Sequence, residues 1–216
     1  MYNNSSVHTI AAAVIPILLA ITLHEAAHAL VAYRCGDNTA KQLGRTSLNP
    51  AKHIDPIGTV LIPLILILSG APFIFGWAKP VPVNYCNLNK PRRDMALVAF
   101  AGPLSNFIMM LLWAIIFFNT PLAVKPNGLL DFIQKMSTFG ININIILMIL
   151  NLVPIPPLDG SKIISGLLPA KYANQYNKLE PYGLLIIFAL IFSGVLFHIL
   201  NPIHYYILTH LGTLLS

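Results

Sequence analysis

Apolar residues in this chain fall into long stretches that contain no Asp, Glu, Lys or Arg. A helix needs about 20 apolar residues to cross a hydrocarbon core of about 30 Å, and each of these stretches is long enough. They are residues 1–24, 56–78, 95–124, 136–158 and 181–216. The pattern predicts an all-α polytopic membrane protein, built as a bundle of about five to six transmembrane helices.

Prolines and glycines interrupt two of the stretches. Three prolines from Pro154 to Pro157 should break the fourth helix, expected over residues 132–152, and a short helix should resume at Ser161. The second stretch, residues 57–75, is interrupted by Pro63, Gly70 and Pro72 and has basic loops on both sides. A full crossing there would place positive charge on both membrane faces. A re-entrant or β-like loop is the alternative, and the sequence leaves the choice open.

The other expected helices cover residues 7–33, 95–118 and 181–200. The first has no basic residue before it and runs into HEAAH instead of a small-residue cleavage site. We therefore interpret it as a retained helix and not as a signal peptide. Residues 202–216 are too short to predict a span, and no segment is polar enough for a separate soluble module. One membrane domain over residues 1–216 is the expected organisation.

Composition excludes a soluble globular domain, because 56% of the residues are hydrophobic and only 9% are charged, whereas soluble domains carry about 25% charged residues. The net charge of +6 comes from Lys and Arg that lie almost entirely in connecting segments, as the positive-inside tendency expects. No basic run is interleaved with aromatic residues, so we expect no nucleic-acid partner. The lipid bilayer is the expected environment.

The strongest chemical signal is His24-Glu25-Ala26-Ala27-His28, a match to H-E-x-x-H. Side chains four residues apart lie on one face of a helix, so both imidazoles can converge on one metal ion, with Glu25 near enough to take a proton from a water there. Chance polar residues at a helix interface are the alternative interpretation. Ionisable groups in a membrane helix are costly and usually functional, which favours the metal site.

A catalytic zinc site with two His ligands often takes a carboxylate as its third. Asp159 follows the proline break and precedes Gly160, so its carboxylate could be directed into the bundle. A turn or helix-capping aspartate before Ser161 fits the same residues equally well. His53 and Asp55, a polar pair at a membrane edge, are another source of the third ligand. The residue pattern by itself leaves these alternatives open.

A second motif, NLVPIPPLDG from Asn151 to Gly160, matches N-x-x-P-x-P-x-L-D-G. H-E-x-x-H in a membrane helix followed by this motif resembles the site-2 protease family of intramembrane zinc metalloproteases. The intervening FGWAKPVPVN and AFAGPLSNF are similar to the compact bacterial members, which lack PDZ and CBS domains. The similarity extends from His24 to Gly160, most of the chain.

The resemblance implies one Zn²⁺ per chain with the ligands His24, His28 and Asp159. It also implies that Glu25 is the general base and that Asn151 positions or stabilises the reacting carbonyl. Hydrolysis of peptide bonds within or at the edge of transmembrane segments is the expected activity, with transmembrane proteins as substrates and a bacterial cell membrane as the location. A homo-oligomer or an adaptor stays open. The rival hypothesis is a membrane metal carrier, which would use the same ligands without a base.

Other polar residues give weaker signals. Asn106 lies in an expected membrane helix, where it either lines the site or forms an interhelical hydrogen bond. His198, His204 and His210 recur every six residues and share no helical face. We interpret these three as interfacial histidines, or as histidines satisfied by hydrogen bonds, and not as a second metal site.

Overall fold

Long helices make up most of the protein in this computed structural model, which describes residues 4–69, 79–122, 125, 126 and 128–215. The α-helices are α1 (Asn4–Arg34), α2 (Thr39–Gln42), α3 (Ile62–Leu68), α4 (Pro91–Asn119), α5 (Leu129–Asn151), α6 (Asp159–Leu167), α7 (Ala170–Asn177), α8 (Gly183–Phe192) and α9 (Val195–Leu215). A π-helical turn, Pro56–Leu61, leads into α3, and 3-10 turns cover Pro50–Lys52, Tyr85–Asn87 and Glu180–Tyr182. The described residues contain no β-strand, so the all-α class predicted from the sequence is confirmed.

Helices α1, α4 and α5 pack against one another at the centre, and α6 packs on α4. Their contact includes buried Met110 and Trp113 of α4 and Ile145 of α5. Gly140 of α5 admits the Trp113 indole, because a Cβ at this position would overlap the ring. Small residues of this kind let membrane helices approach closely, and this approach sets the spacing of α4 and α5 near the site described below.

Three helical segments are long and apolar enough to cross a membrane: His8–Arg34, Pro91–Asn119 and Leu129–Asn151. A fourth crossing results if Ala170–Phe192 and Val195–Thr213, which bend by 76°, form one broken span. Large apolar side chains such as Ile108, Leu112 and Ile115 are about half exposed on α4, as on a surface that faces lipid. The chain is therefore a polytopic membrane protein. Its described part has three or four candidate spans, fewer than the five to six expected.

The fifth expected helix, residues 181–200, is wrong in its bounds. The helix stops at Phe192, and Gly194, with a φ of 75°, turns the chain in a left-handed conformation that glycine adopts at little cost. Helix α9 then continues to Leu215 with Pro202 inside it. Sequence reasoning treated this proline as a boundary, yet it interrupts the helix less than Gly194 does.

The two other interrupted elements have different outcomes. The predicted break in the fourth helix is confirmed: α5 ends at Asn151, and α6 begins at Asp159 after the proline-rich turn. The second stretch forms the π-helical turn and α3, while residues 70–75 of it lie outside the described residues. Of GWAKPVPVN, residues 76–78 also lie outside them, and residues 79–84 form a segment with neither helix nor strand. We call residues 79–84 the crossing segment.

Candidate metal centre

Helix α1 brings both histidines of the HEAAH motif to one face. The Nε2 atoms of His24 and His28 lie 3.0 Å apart, and both residues are buried. An uninterrupted α-helix through the motif produces this pairing, since residues four apart stand above one another on its surface. The arrangement predicted for H-E-x-x-H is present.

Asp159 comes from the first turn of α6 and reaches the same point. Its Oδ2 atom lies 3.1 Å from Nε2 of His24 and 3.3 Å from Nε2 of His28. The residue that caps α6 is Leu158, and no side chain makes a capping hydrogen bond there. The interpretation of Asp159 as a helix cap is therefore wrong, because its buried carboxylate faces the histidines.

Hydrogen bonds at the far side of each imidazole fix which nitrogen is free. Nδ1 of His24 lies 2.6 Å from Oδ1 of Asn106, and Nδ1 of His28 lies 2.7 Å from the carbonyl oxygen of Val98. Both partners are acceptors, so each neutral imidazole carries its proton on Nδ1 and a lone pair on Nε2. With the Asp159 carboxylate, three lone-pair donors converge in a buried space. Their mutual repulsion is relieved by a cation at the centre of the triangle.

The triangle has the size expected for zinc. A tetrahedral Zn²⁺ with N and O ligands at about 2.1 Å holds those ligand atoms about 3.4 Å apart, close to the 3.0–3.3 Å separations found here. Two histidines and one carboxylate leave a fourth position for water or substrate, as catalytic zinc sites do. The residues fit the ion. Among the described residues, His24, His28 and Asp159 are the group of metal-binding side chains that comes together in this way.

A relay of buried amides holds His24 from behind. Asn106 accepts from Nδ1 of His24 and donates from Nδ2 to the Ala20 carbonyl, at 3.3 Å, and to Oδ1 of Asn144, at 2.9 Å. Asn144 in turn donates to the Gly140 carbonyl at 2.8 Å. Backbone carbonyls can only accept, so they fix the orientation of both amides and leave Oδ1 of Asn106 facing the histidine.

Asn106 therefore does more than form a plain interhelical bond. Partners that orient a metal-binding histidine are expected to tune the site. Sequence reasoning missed Asn144, although a polar amide in the apolar run ININI is a signal of the same kind. Both side chains are fully buried.

Gly102 of α4 makes room for the histidine pair. A Cβ built there would lie 2.5 Å from Cε1 of His24 and from Cε1 and Nε2 of His28. Val98, Gly102 and Asn106 are spaced four residues apart, so one face of α4 supplies a carbonyl acceptor, a gap and an amide acceptor to α1. The AGPLSNF motif owes its place in the site to this face.

Glu25 and Asn151 line the cleft beside the triangle, whose cavity has a volume of about 330 Å³. Oε2 of Glu25 accepts a hydrogen bond from the Val81 backbone N–H at 2.9 Å. Asn151, in the last turn of α5, donates from Nδ2 to the Leu147 carbonyl at 3.0 Å and also lines the cleft. Both residues named as catalytic from the sequence thus stand next to the metal-binding atoms.

The crossing segment passes over this cleft and is held at three points. Besides the Val81 contact, the Lys79 N–H donates to the His53 carbonyl at 2.9 Å, and the Asn84 N–H donates to Oδ2 of Asp37 at 2.7 Å. Pro80 and Pro82 have no N–H, so the segment uses most of its backbone donors for anchorage.

Asp37 anchors one end of the crossing segment. This buried carboxylate also accepts from the backbone and hydroxyl of Thr39 and from the Asn87 amide. Burial acts to raise its pKa, but the hydrogen bonds outweigh burial and hold the pKa below its ordinary value.

The other candidate ligands lie elsewhere. His53 is buried with Nε2 at 2.8 Å from the Ser47 carbonyl, and Asp55 caps the π-helical turn by accepting from the N–H groups of Ile57 and Gly58. The alternative that this pair supplies the third ligand is therefore wrong. His198 contacts the Gly194 carbonyl just before α9, and His210 contacts the Tyr206 carbonyl within it. These contacts agree with the interpretation of both as histidines satisfied by hydrogen bonds.

Comparisons with known proteins agree with this geometry. Residues 12–131 and 121–194 match the model of "Peptidase family M50". The chain is 39% identical over 197 residues to the Bacillus subtilis protein "Putative zinc metalloprotease YwhC", which covers 88% of this chain and 84% of that protein. It is 27% identical over 184 residues to the Mycolicibacterium smegmatis protein "Putative zinc metalloprotease Rip2", with 83% and 66% covered. No solved structure matches the chain significantly.

Proposed function

Because the chain belongs to peptidase family M50, we propose that this membrane zinc metalloprotease hydrolyses peptide bonds within or at the edge of transmembrane segments of other membrane proteins. One observation carries the proposal. Three lone-pair donors, Nε2 of His24, Nε2 of His28 and Oδ2 of Asp159, meet among membrane helices beside a carboxylate that is not part of the triangle. A carrier would need the donors but not Glu25.

His24, His28 and Asp159 would hold the zinc ion, which when bound supplies Lewis-acid activation of water and of the scissile carbonyl. Glu25 takes the proton from the attacking water and passes it to the leaving amine. The second N–H of Asn151 donates to the carbonyl oxygen as negative charge develops there, a contribution of about 3 kcal/mol for one such donor. Val81 keeps the Glu25 carboxylate oriented through its N–H.

The substrate must expose its peptide bond, since a helix keeps its carbonyls in its own hydrogen bonds. Segments that contain Gly, Pro or other weak helix formers should therefore be preferred. The crossing segment offers an extended edge to an unwound substrate. With Pro80 and Pro82 in it, this edge presents carbonyl acceptors and few N–H donors.

The site lies near the basic end of α1. His28 precedes Arg34 by six residues, which corresponds to about 9 Å along a helix. The loop that follows Arg34 is basic, so charge bias orients it to the cytoplasm. We place the chain in a bacterial cell membrane with the zinc in the cytoplasmic third.

A reconstituted assay tests this function. Wild type and Glu25→Gln are purified, their zinc content is measured, and both are mixed with a membrane-embedded reporter that has a helix-destabilising segment. We expect full zinc content in both and cleavage only by the wild type. The Asp131→Asn variant, which changes a carboxylate at the start of α5 outside the cleft, is the control and should cleave normally. Cleavage by Glu25→Gln would contradict the role of Glu25 as general base, and no cleavage of any reporter would favour a metal carrier.

A further inference from the structure

A second cavity of about 400 Å³ adjoins the metal cleft. Met95, Pro157 and Lys162 line both spaces, so the two are neighbours at these residues. Lys162 lies three residues after Asp159 on α6 and therefore shares its helix face. A chain that leaves the metal site along this face of α6 would come to the second cavity next.

The packing of α6 and α7 builds the cavity walls. Gly166 of α6 approaches the backbone of α4, since a Cβ there would lie 2.7 Å from the Arg92 carbonyl oxygen. This close approach places Ser165 of α6 beside Arg92 in the wall. The Tyr176 hydroxyl of α7 donates to the Pro154 carbonyl at 2.6 Å and so ties α7 to the break before α6.

The lining mixes apolar and polar residues and carries more positive than negative charge. Its charged groups are Arg92, Lys162 and, on the turn after α7, Glu180. Within the part of the chain that the structure describes, no carboxylate lies within ion-pair distance of either cation. Asn174 and Asn177, three residues apart on α7, add amide donors and acceptors. None of these polar groups has a part in the reaction proposed above.

We propose that this cavity binds acidic residues in the polar segment that flanks the scissile bond of the substrate, with Arg92 and Lys162 contacting their carboxylates. The inference rests on the proposed function, because it assigns the cavity to the same substrate. The three lining residues shared with the metal cleft favour a peptide over a lipid headgroup. The Glu180 carboxylate also suits a peptide, which brings N–H groups as well as carboxylates, better than a lone phosphate.

Three reporters that differ only in this flanking segment test the inference. They carry Glu, Gln or Lys at the same positions, and kcat and KM are measured with purified wild type in zwitterionic vesicles. We expect a KM about fivefold lower for the Glu reporter than for the Gln reporter, the size of a partly exposed ion pair. The kcat should be the same for both, since the contact is made equally in the ground and transition states. Added salt should reduce the preference.

Protein variants then assign the preference to the cavity. In Arg92→Gln/Lys162→Gln the KM ratio of the Gln and Glu reporters should fall to about one, whatever the overall activity of the variant. Lys171→Gln changes a nearby exposed cation of α7 that does not line the cavity, and it should keep the wild-type ratio. Zinc content serves as the check on folding.

The outcomes distinguish a failure of this inference from a failure of the proposed protease function. Equal KM values for all three reporters with the wild type would overturn the cavity assignment, while cleavage that Glu25→Gln abolishes would still support the protease. An absence of cleavage for every reporter would remove both. If the double variant loses activity on all three reporters only in vesicles with anionic lipid, the cavity binds a lipid phosphate and the peptide assignment is wrong.

Discussion

The metal triangle and the crossing segment face the same cleft but are held in opposite ways. Side chains from three long helices fix the triangle, through the relay from His24 to Asn106 and Asn144. Backbone N–H groups fix the crossing segment, and one of its anchors, Asp37, lies in the loop after α1. The first arrangement depends on helix packing. The second depends in part on a carboxylate outside the membrane-spanning helices.

Because of this difference, mutations in the two regions should impair the enzyme in two distinct ways. Damage to the triangle or its relay should remove zinc, because the ligands lose their fixed geometry. Damage to the anchors of the crossing segment should leave zinc bound and weaken substrate handling. Zinc content measured together with kinetics therefore tells the two regions apart.

The largest effect is expected from Asp159→Asn. The amide keeps the size of the side chain but lacks the anionic oxygen that completes the triangle, so zinc affinity should fall by more than about 100-fold and cleavage should be lost. Metal titration with a competing chelator measures the affinity. Near-normal zinc binding in this variant would contradict the ligand set.

Gly102→Ala should come next. Its Cβ would lie 2.5 Å from atoms of both histidines, so the imidazoles must move apart, and we expect loss of most of the zinc and about a 100-fold fall in activity. Gly212→Ala on α9 is the matched control, because a Cβ there meets nothing within 4 Å, and it should behave as wild type. Equal zinc content in both variants would contradict the prediction and show that α4 can move away from the histidines without loss of the metal.

Asn106→Leu should lower zinc affinity by about 10-fold to 100-fold, since it removes the acceptor that orients His24. Asn144→Leu should cost less, because Asn106 keeps its bond to the Ala20 carbonyl. The double variant should cost little more than Asn106→Leu alone, as expected for residues in one network. Asn142→Leu is the control on the same helix, since the Asn142 amide bonds to the Thr138 carbonyl. Additive losses in the double variant would contradict a relay.

Asp37→Asn should give the smallest change, and it tests the anchorage of the crossing segment instead of the triangle. It replaces an anionic acceptor, so at pH 7 we expect a melting temperature lower by about 3 °C, for a loss of about 1 kcal/mol. A several-fold higher KM with unchanged zinc content should accompany it.

The pH dependence of this stability difference has a defined sign. The folded-state pKa of Asp37 lies below its ordinary value of 3.8, so the anion stabilises the fold fully above that value and loses this effect as the pH falls through the folded pKa. The gap between wild type and Asp37→Asn in thermal melts should shrink below about pH 4. A gap that persists there would mean that another group causes it.

Helix periodicity predicted the parts of this protein that depend on local spacing. The pairing of His24 and His28 follows from four residues of helix, and the break before Asp159 follows from its prolines. Helix periodicity could not predict the long-range contacts. Val81 reaches Glu25 across 56 residues of sequence, and no local pattern encodes that meeting. The resemblance, not the spacing, identified Asp159 as the third ligand.

The errors have a similar cause. Sequence reasoning ran one helix through Gly194 and ended it before Pro202, but Gly194 takes the backbone angle that turns the chain. Asn144 was overlooked because its value depends on what α4 places opposite it. His53 was weighed as a ligand because its partner, the Ser47 carbonyl, is a backbone group that sequence does not reveal.

Gly140, Asn144 and Asn151 all lie on helix α5, and Asp159 begins α6 after the turn that follows α5. A single tilt of this helix away from α4 would disturb the relay, the amide in the cleft and the carboxylate ligand together. We therefore expect an apolar compound that enters the Trp113–Gly140 contact from the bilayer to lower activity without competing with the substrate. Inhibitors of this protein need not resemble a peptide or chelate a metal.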